Sequence, residues 1–139
     1  MELLRPASNI TLLEQEFRSI IMDSSNGDGS GLLSNRSFNR WTLTFFDGSK
    51  LYITEHSCKG FIQMYFYNWV SASGEVFAKF HSEPHDEDKR YQTVTEPFHI
   101  HPPKETTIHN ATRYPNFHHQ ELPEILEAIF IYMLASKKI

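Results

Sequence analysis

The sequence predicts an α+β fold: a single antiparallel β-meander of about five strands, with an N-terminal and a C-terminal helix packed on it. Three observations predict it. Residues 39–101 carry apolar alternation of period two, broken by short turn motifs. Residues 121–137 carry apolar side chains at helical spacing, and residues 11–22 repeat that pattern on a smaller scale behind a capping motif. With 139 residues in all, the chain has the length of one domain, and 1–139 is read as a single unit.

Taken in order, Thr11-Leu12-Leu13-Glu14 reads as a capping box, in which the Thr11 hydroxyl accepts from an early N–H and Glu14 reaches back. Leu13, Phe17, Ile20 and Ile21 then follow one helical face, and the helix is expected to stop near Asp23. Ser24 to Ser30 reads as a flexible loop. From Asn39, Trp41, Leu43 and Phe45 alternate with Arg40, Thr42 and Thr44, the signature of a half-buried strand. Asp47-Gly48-Ser49 is a hairpin turn, and Leu51 and Ile53 continue on the far side of it. Phe61 to Val70 is nearly all apolar or aromatic, as in a central strand covered on both faces. Ser71 to Gly74 turns the chain, and Val76, Ala78 and Phe80 share one face of the return strand to His81. A polar loop over 82–90 leads to a fifth strand, Thr93 to His101.

Residues 102–120 have no clear period and read as an irregular loop holding His109, Arg113, His118 and His119, which are expected to be solvated loop side chains. In the last segment Pro123 suits a first helical turn, and Glu121 and Glu124 complement the helix N-terminus. Leu122, Ile125, Leu126, Ile129, Phe130, Met133 and Leu134 form one stripe, widened by Ala128, Ile131 and Tyr132. So broad an apolar surface reads either as a helix packed on more than one side or as one with a second face for a partner or a second copy.

Composition narrows the function. The hydrophobic fraction of 40% supplies a core, and the formal charge of −4 argues against binding nucleic acid by charge alone, though not against cutting RNA at a local site. The single cysteine, Cys58, excludes an internal disulfide and any CxxC site, and is expected to be a buried thiol in a reducing compartment. No run approaches the roughly twenty apolar residues of a membrane span, and Met1 to Ile10 lacks the apolar stretch of a signal peptide. The expectation is a cytoplasmic protein with no membrane partner.

The residues that carry chemistry are histidines. His99 and His101 have strand spacing, so they project from one face, and His85 precedes them in Pro84-His85-Asp86. Trp41, Tyr65, Tyr67 and Trp69 are a second candidate set, either base-stacking rings or, more simply, a core of large aromatics.

The order of motifs is that of a known group. Trp69 followed by Glu75-Val76-Phe77, then Pro84-His85, then Thr95-Glu96-Pro97-Phe98-His99-Ile100-His101 resembles the TumE-like family, small bacterial proteins classed as toxin components of toxin–antitoxin pairs. The resemblance spans about residues 38 to 101 and, loosely, both helices. It departs in two places: Asp86 stands where the family often has a second histidine, and Phe98 stands where it often has the first of a His-His pair. It implies a toxin-like role and an antitoxin-type protein partner; a homo-oligomer is the other arrangement.

Several chemistries stay open on these residues. As a metal-independent endoribonuclease, the chain would use His99 or His101 as base, His85 as acid and Arg90 as a phosphate clamp, with RNA as substrate and no cofactor. The acidic run Asp86-Glu87-Asp88 would repel phosphate near His85 and counts against this. As a metal site, His85, Asp86, His99 and His101 would hold zinc. The rings can also be ordinary sheet-edge side chains. The alternative of another class is a non-catalytic interaction module that docks a partner through the apolar C-terminal helix.

Overall fold

The computed structural model describes residues 5–82, 92–102 and 113–136. In them the chain forms helix α1 (Ile10–Glu16), strands β1 (Ile21–Asn26), β2 (Phe38–Phe45), β3 (Lys50–Cys58), β4 (Phe61–Val70), β5 (Val76–His81), β6 (His99–His101) and β7 (Tyr114–Pro115), and helix α2 (Leu122–Ala135). The strands pair in chain order, all antiparallel, so the sheet is the expected meander, with seven strands among the described residues rather than five.

The extra strands come from segments read otherwise. The predicted helix over 11–22 ends at Glu16, and its cap is Asn9, whose side chain accepts from the Leu12 N–H, rather than Thr11. Ile20 and Ile21 fit a helical face by spacing, but Ile20 lies in the turn before β1 and Ile21 begins that strand, opposite Phe45. Both isoleucines are buried, and β-branched side chains pack well on a pleated surface, so tertiary pairing overrides the helical pattern. The second extra strand is β7, which lies inside the stretch read as irregular over 102–120 and pairs with β6. The predicted strand Thr93–His101 shortens to its last three residues. Thr93 and Thr95 donate their hydroxyls to the Phe98 carbonyl, which holds 93–98 in a turn closed by a cis Glu96–Pro97 peptide.

Register separates the two faces of the sheet. Trp41 and Leu43 of β2 oppose Ile53 and Leu51 of β3, which oppose Tyr67 and Trp69 of β4, while Phe45 opposes Ile21 of β1; Tyr67 in turn opposes Phe80, and Phe80 opposes Ile100. This face meets the helices: Ile10 and Leu13 of α1 and Leu122, Ile125, Leu126, Ile129 and Met133 of α2 are buried in the same core. Tyr65 and Tyr67 stack with centroids 4.1 Å apart and are almost wholly inaccessible; Trp69 packs edge-on against Tyr132. The four aromatics therefore form core, not a stacking platform. The helix α2 is buried on one side alone, with Ile131 and Leu134 exposed.

The second face carries Thr42, Tyr52, Thr54, Phe66, Asn68 and Lys79. The segment expected to be a flexible loop over 24–30 closes one end of it: Ser24 to Asn26 belong to β1, and Gly27 to Leu33 folds across β2 and β3. Gly29, at φ +83°, lies so close to the Tyr52 ring that a Cβ there would stand 2.6 Å from it. Asp28 pins this loop, accepting from Thr54 Oγ1 at 2.8 Å and Ser30 Oγ at 2.5 Å, with the Arg40 guanidinium at 3.6 Å. The β3–β4 hairpin turns on Lys59-Gly60, both at positive φ. It leaves Cys58 exposed, contrary to the expectation of a buried thiol.

Burial works to raise the Asp28 carboxyl, but the hydrogen bonds and the Arg40 charge outweigh it and hold the pKa below its usual 3.8. A depressed carboxyl stabilises the fold above the unfolded value and loses that contribution as pH falls through the folded one. Asp28→Asn is expected to cost about 1–3 kcal/mol at neutral pH by urea unfolding, with the difference from wild type shrinking below about pH 4. On the helix face, the buried Glu55 carboxylate accepts from the Ser8 N–H at 2.9 Å, Ser8 Oγ at 2.6 Å, Asn39 Nδ2 at 3.0 Å and the Tyr67 hydroxyl. Glu55→Gln and Tyr67→Phe should each destabilise by about 1–3 kcal/mol, and the double variant should show a coupling of about 0.5–3 kcal/mol in an unfolding cycle. Strict additivity would mean the hydroxyl and carboxylate do not interact.

Candidate histidine site

Pairing of β5 with β6 builds the site. His81 lies directly opposite His99, and Lys79 opposite His101, on the face away from the helices. Side chains of one strand alternate, so with Phe80 and Ile100 turned into the core, the three imidazoles project together on the other side. Their ring centroids lie 5.6 Å (His81–His99), 4.7 Å (His81–His101) and 5.0 Å (His99–His101) apart, each pair steeply inclined. One ring nitrogen from each lies within 4.8 Å of the others.

The surroundings fix how the rings point. A backbone carbonyl can only accept, so His99 Nδ1, 3.2 Å from the Pro97 oxygen, carries the hydrogen and the ring's lone pair falls on Nε2. His81 Nε2 donates to Asn68 Oδ1 at 2.9 Å, which puts its lone pair on Nδ1. Phe66 packs edge-on against the His81 ring at 4.8 Å. His99 is fully buried, and His101 is 3% exposed. Burial first, then the electrostatic influence of His101, His99, Lys79 and Arg113, pushes the His81 pKa down to about 2, so this ring is neutral at physiological pH.

Of the residues singled out by sequence, the structure brings His99 and His101 together. His85, Asp86, Arg90 and His109 lie outside the described residues, and with them the expected acid, the phosphate clamp and two members of the zinc quartet. The third ring that does join the pair, His81, sequence reasoning passed over. The signal for it was present: Val76, Ala78 and Phe80 point inward, so His81 has to point outward, and pairing Phe80 with Ile100 sets it beside His99. Phe98, where the resembling family often has a histidine, points the other way. Its ring packs 6.2 Å from Tyr65, beneath the Arg5 guanidinium, so its identity removes nothing from the cluster. His118 is exposed and His119 half-buried.

A cleft of about 330 Å³ opens on the opposite, helix-bearing face, lined by Arg5, Ser8, Leu12, Glu16, Tyr65 and Gln120 among others. Arg5 in it pairs with Glu121 at 3.0 Å and donates to the Gln120 carbonyl at 3.1 Å, and the Tyr65 hydroxyl donates to that same oxygen. The reactive side chains and this cleft are thus on different faces. Among the described residues no helix is long and apolar enough to cross a membrane.

Comparison with curated proteins and with solved structures finds no match for the chain. A family model described as Toxin TumE matches residues 10–131, from the start of α1 through most of α2 and including all three clustered histidines. A match over that much of the chain shows the relationship directly: the protein belongs to the TumE toxin family.

Proposed function

We propose that this chain is the growth-inhibiting member of a toxin–antitoxin pair and that it cleaves RNA at the histidine face of its sheet. Family membership supports the toxin role. The observation that carries the chemistry is the convergence of His99 and His101 with His81 away from the packed core. Strand cleavage requires that the ribose 2′-OH lose a proton and the leaving 5′-oxygen gain one, and imidazoles are the side chains best suited to both near neutral pH. Lys79 and Arg113 bring positive charge to the same neighbourhood, as a phosphodiester substrate requires.

The metal-independent form of this reaction asks one ring to titrate near neutrality and the pair to touch substrate. His81 stays neutral far below that range, and His99 and His101 are covered. Three converging imidazole nitrogens, two of them on buried rings, favour the variant in which the cluster holds an ion. The roles of His85 as proton donor and Arg90 as clamp belong to the same proposal.

A second reading rests on α2. Ile131 is 61% and Leu134 57% exposed on a helix whose opposite side is core. That outer face suits an antitoxin-type partner, or a second copy, and a chain acting only by docking would need no histidine. Tyr132 is a poor probe of it, because its ring packs on Trp69 and Phe77.

Expression with and without the paired antitoxin separates the readings. His99→Gln and His101→Gln are expected to abolish growth arrest and to lower cleavage of total cellular RNA by purified protein at least about 10²-fold, with circular dichroism confirming a retained fold. Ile131→Glu with Leu134→Lys should leave arrest intact and weaken neutralisation by the partner. Intact RNA after incubation with folded wild-type protein, and arrest unaffected by either histidine change, would overturn the nuclease reading.

A further inference from the structure

We propose that His81, His99 and His101 form a three-histidine site for a zinc-class divalent ion, with His81 Nδ1 and His99 Nε2 as two of the donors. The site differs from the quartet the sequence suggested, since it recruits His81 and requires neither His85 nor Asp86.

Geometry is the first support. Three imidazoles from two paired strands place donor nitrogens within 4.8 Å of one another. Ring rotations that move each nitrogen by under about 1 Å bring such a trio to zinc–nitrogen distances of roughly 2.0–2.1 Å. The strands that supply them are held by the Phe80–Ile100 pair on the core side, so the trio is built on rigid backbone rather than on a loop.

The outer hydrogen bonds are the second support. Ligating histidines characteristically donate their other ring N–H to a carbonyl or carboxylate, which fixes the tautomer and aims the lone pair at the metal. His99 does this through Nδ1 to the Pro97 carbonyl and His81 through Nε2 to Asn68 Oδ1. Each fixed tautomer leaves one ring nitrogen with its lone pair available for a metal, as imidazole ligation requires. Nitrogen donors without thiolate or carboxylate select zinc, cobalt, nickel or copper over calcium and magnesium.

Three protein donors leave a tetrahedral ion one position for water or an anion. The charges of Lys79 and Arg113 oppose a bare dication but suit an anionic fourth ligand such as a phosphate oxygen. Use of that position on RNA rests on the function proposed above; binding of the ion does not.

The test uses the full chain, stripped with chelator, checked for fold by circular dichroism, then titrated with zinc and, separately, cobalt(II). One equivalent is expected to bind, to raise the thermal midpoint by on the order of 5–10 °C at about a hundredfold excess over Kd, and to give the intense visible absorption of tetrahedral cobalt. His81→Gln should abolish the cobalt spectrum, and Asn68→Ala, which touches no ligand nitrogen, should weaken affinity about 10- to 100-fold while leaving the apo fold unchanged. Folded wild-type protein with no midpoint shift and no cobalt spectrum would overturn the site, as would full binding by His81→Gln. The outcomes separate from those of the nuclease proposal. Metal bound without RNA cleavage retains this site and rejects that activity, whereas cleavage that persists in chelator without any metal binding does the reverse.

Discussion

The pairing of β5 with β6 in the register that sets Phe80 against Ile100 decides what this protein can do. The side-chain period of a strand is two, so a slip of one residue would turn the histidines toward the helices and the apolar side chains outward. Burying Phe80 and Ile100 is worth on the order of 1.5–3 kcal/mol each when complete, and Phe80 sits in the main core with Ile100 packed against it. The slipped register would instead press imidazoles into that core. Apolar burial on one face thereby fixes the meeting of three polar rings on the other, and the short strand β6 needs no long run of its own to be placed.

The rest of the sheet prepares that pairing. Five strands precede β6 in unbroken chain order, so errors of register would accumulate unless each hairpin were set locally. Asp47 accepts from the Ser49 N–H and hydroxyl across the first turn, and Ser71 closes the β4–β5 turn through its hydroxyl and carbonyl. The helices seal one face, and the Asp28–Arg40–Thr54 contacts fasten a loop over the far end of the other. The histidine end is separate from both, at the opposite side of the sheet from β1.

The fold class was legible in the sequence because period-two alternation and the α2 stripe are strong, local signals, and the aromatic core followed from the same pattern. What escaped were pieces whose structure is decided by distant partners. Ile21 has helical spacing with Leu13 and Phe17, yet β2 captures it as the start of a strand; Tyr114-Pro115 has no periodic signal and exists as a strand only beside β6. The site was half legible for a related reason. His99 and His101 share a face by sequence spacing alone, while His81 joins them across a chain separation that only strand register can close. Phe98 drew attention by its place in a motif, and its backbone parity sends it to the core. Cys58 was misjudged because its position beside a tight Lys59-Gly60 turn outweighs the general preference of thiols for the interior.

Both proposed activities depend on three imidazoles meeting in one cluster on the face away from the helices. Nitrogen-15 NMR of the histidine rings with ring-to-ring proton NOEs tests it most directly. NOEs linking His81, His99 and His101 are expected, with an Nδ1–H tautomer at His99 and a His81 ring that stays neutral through mildly acidic pH. Three rings without mutual NOEs, each titrating independently near 6.5, would contradict it.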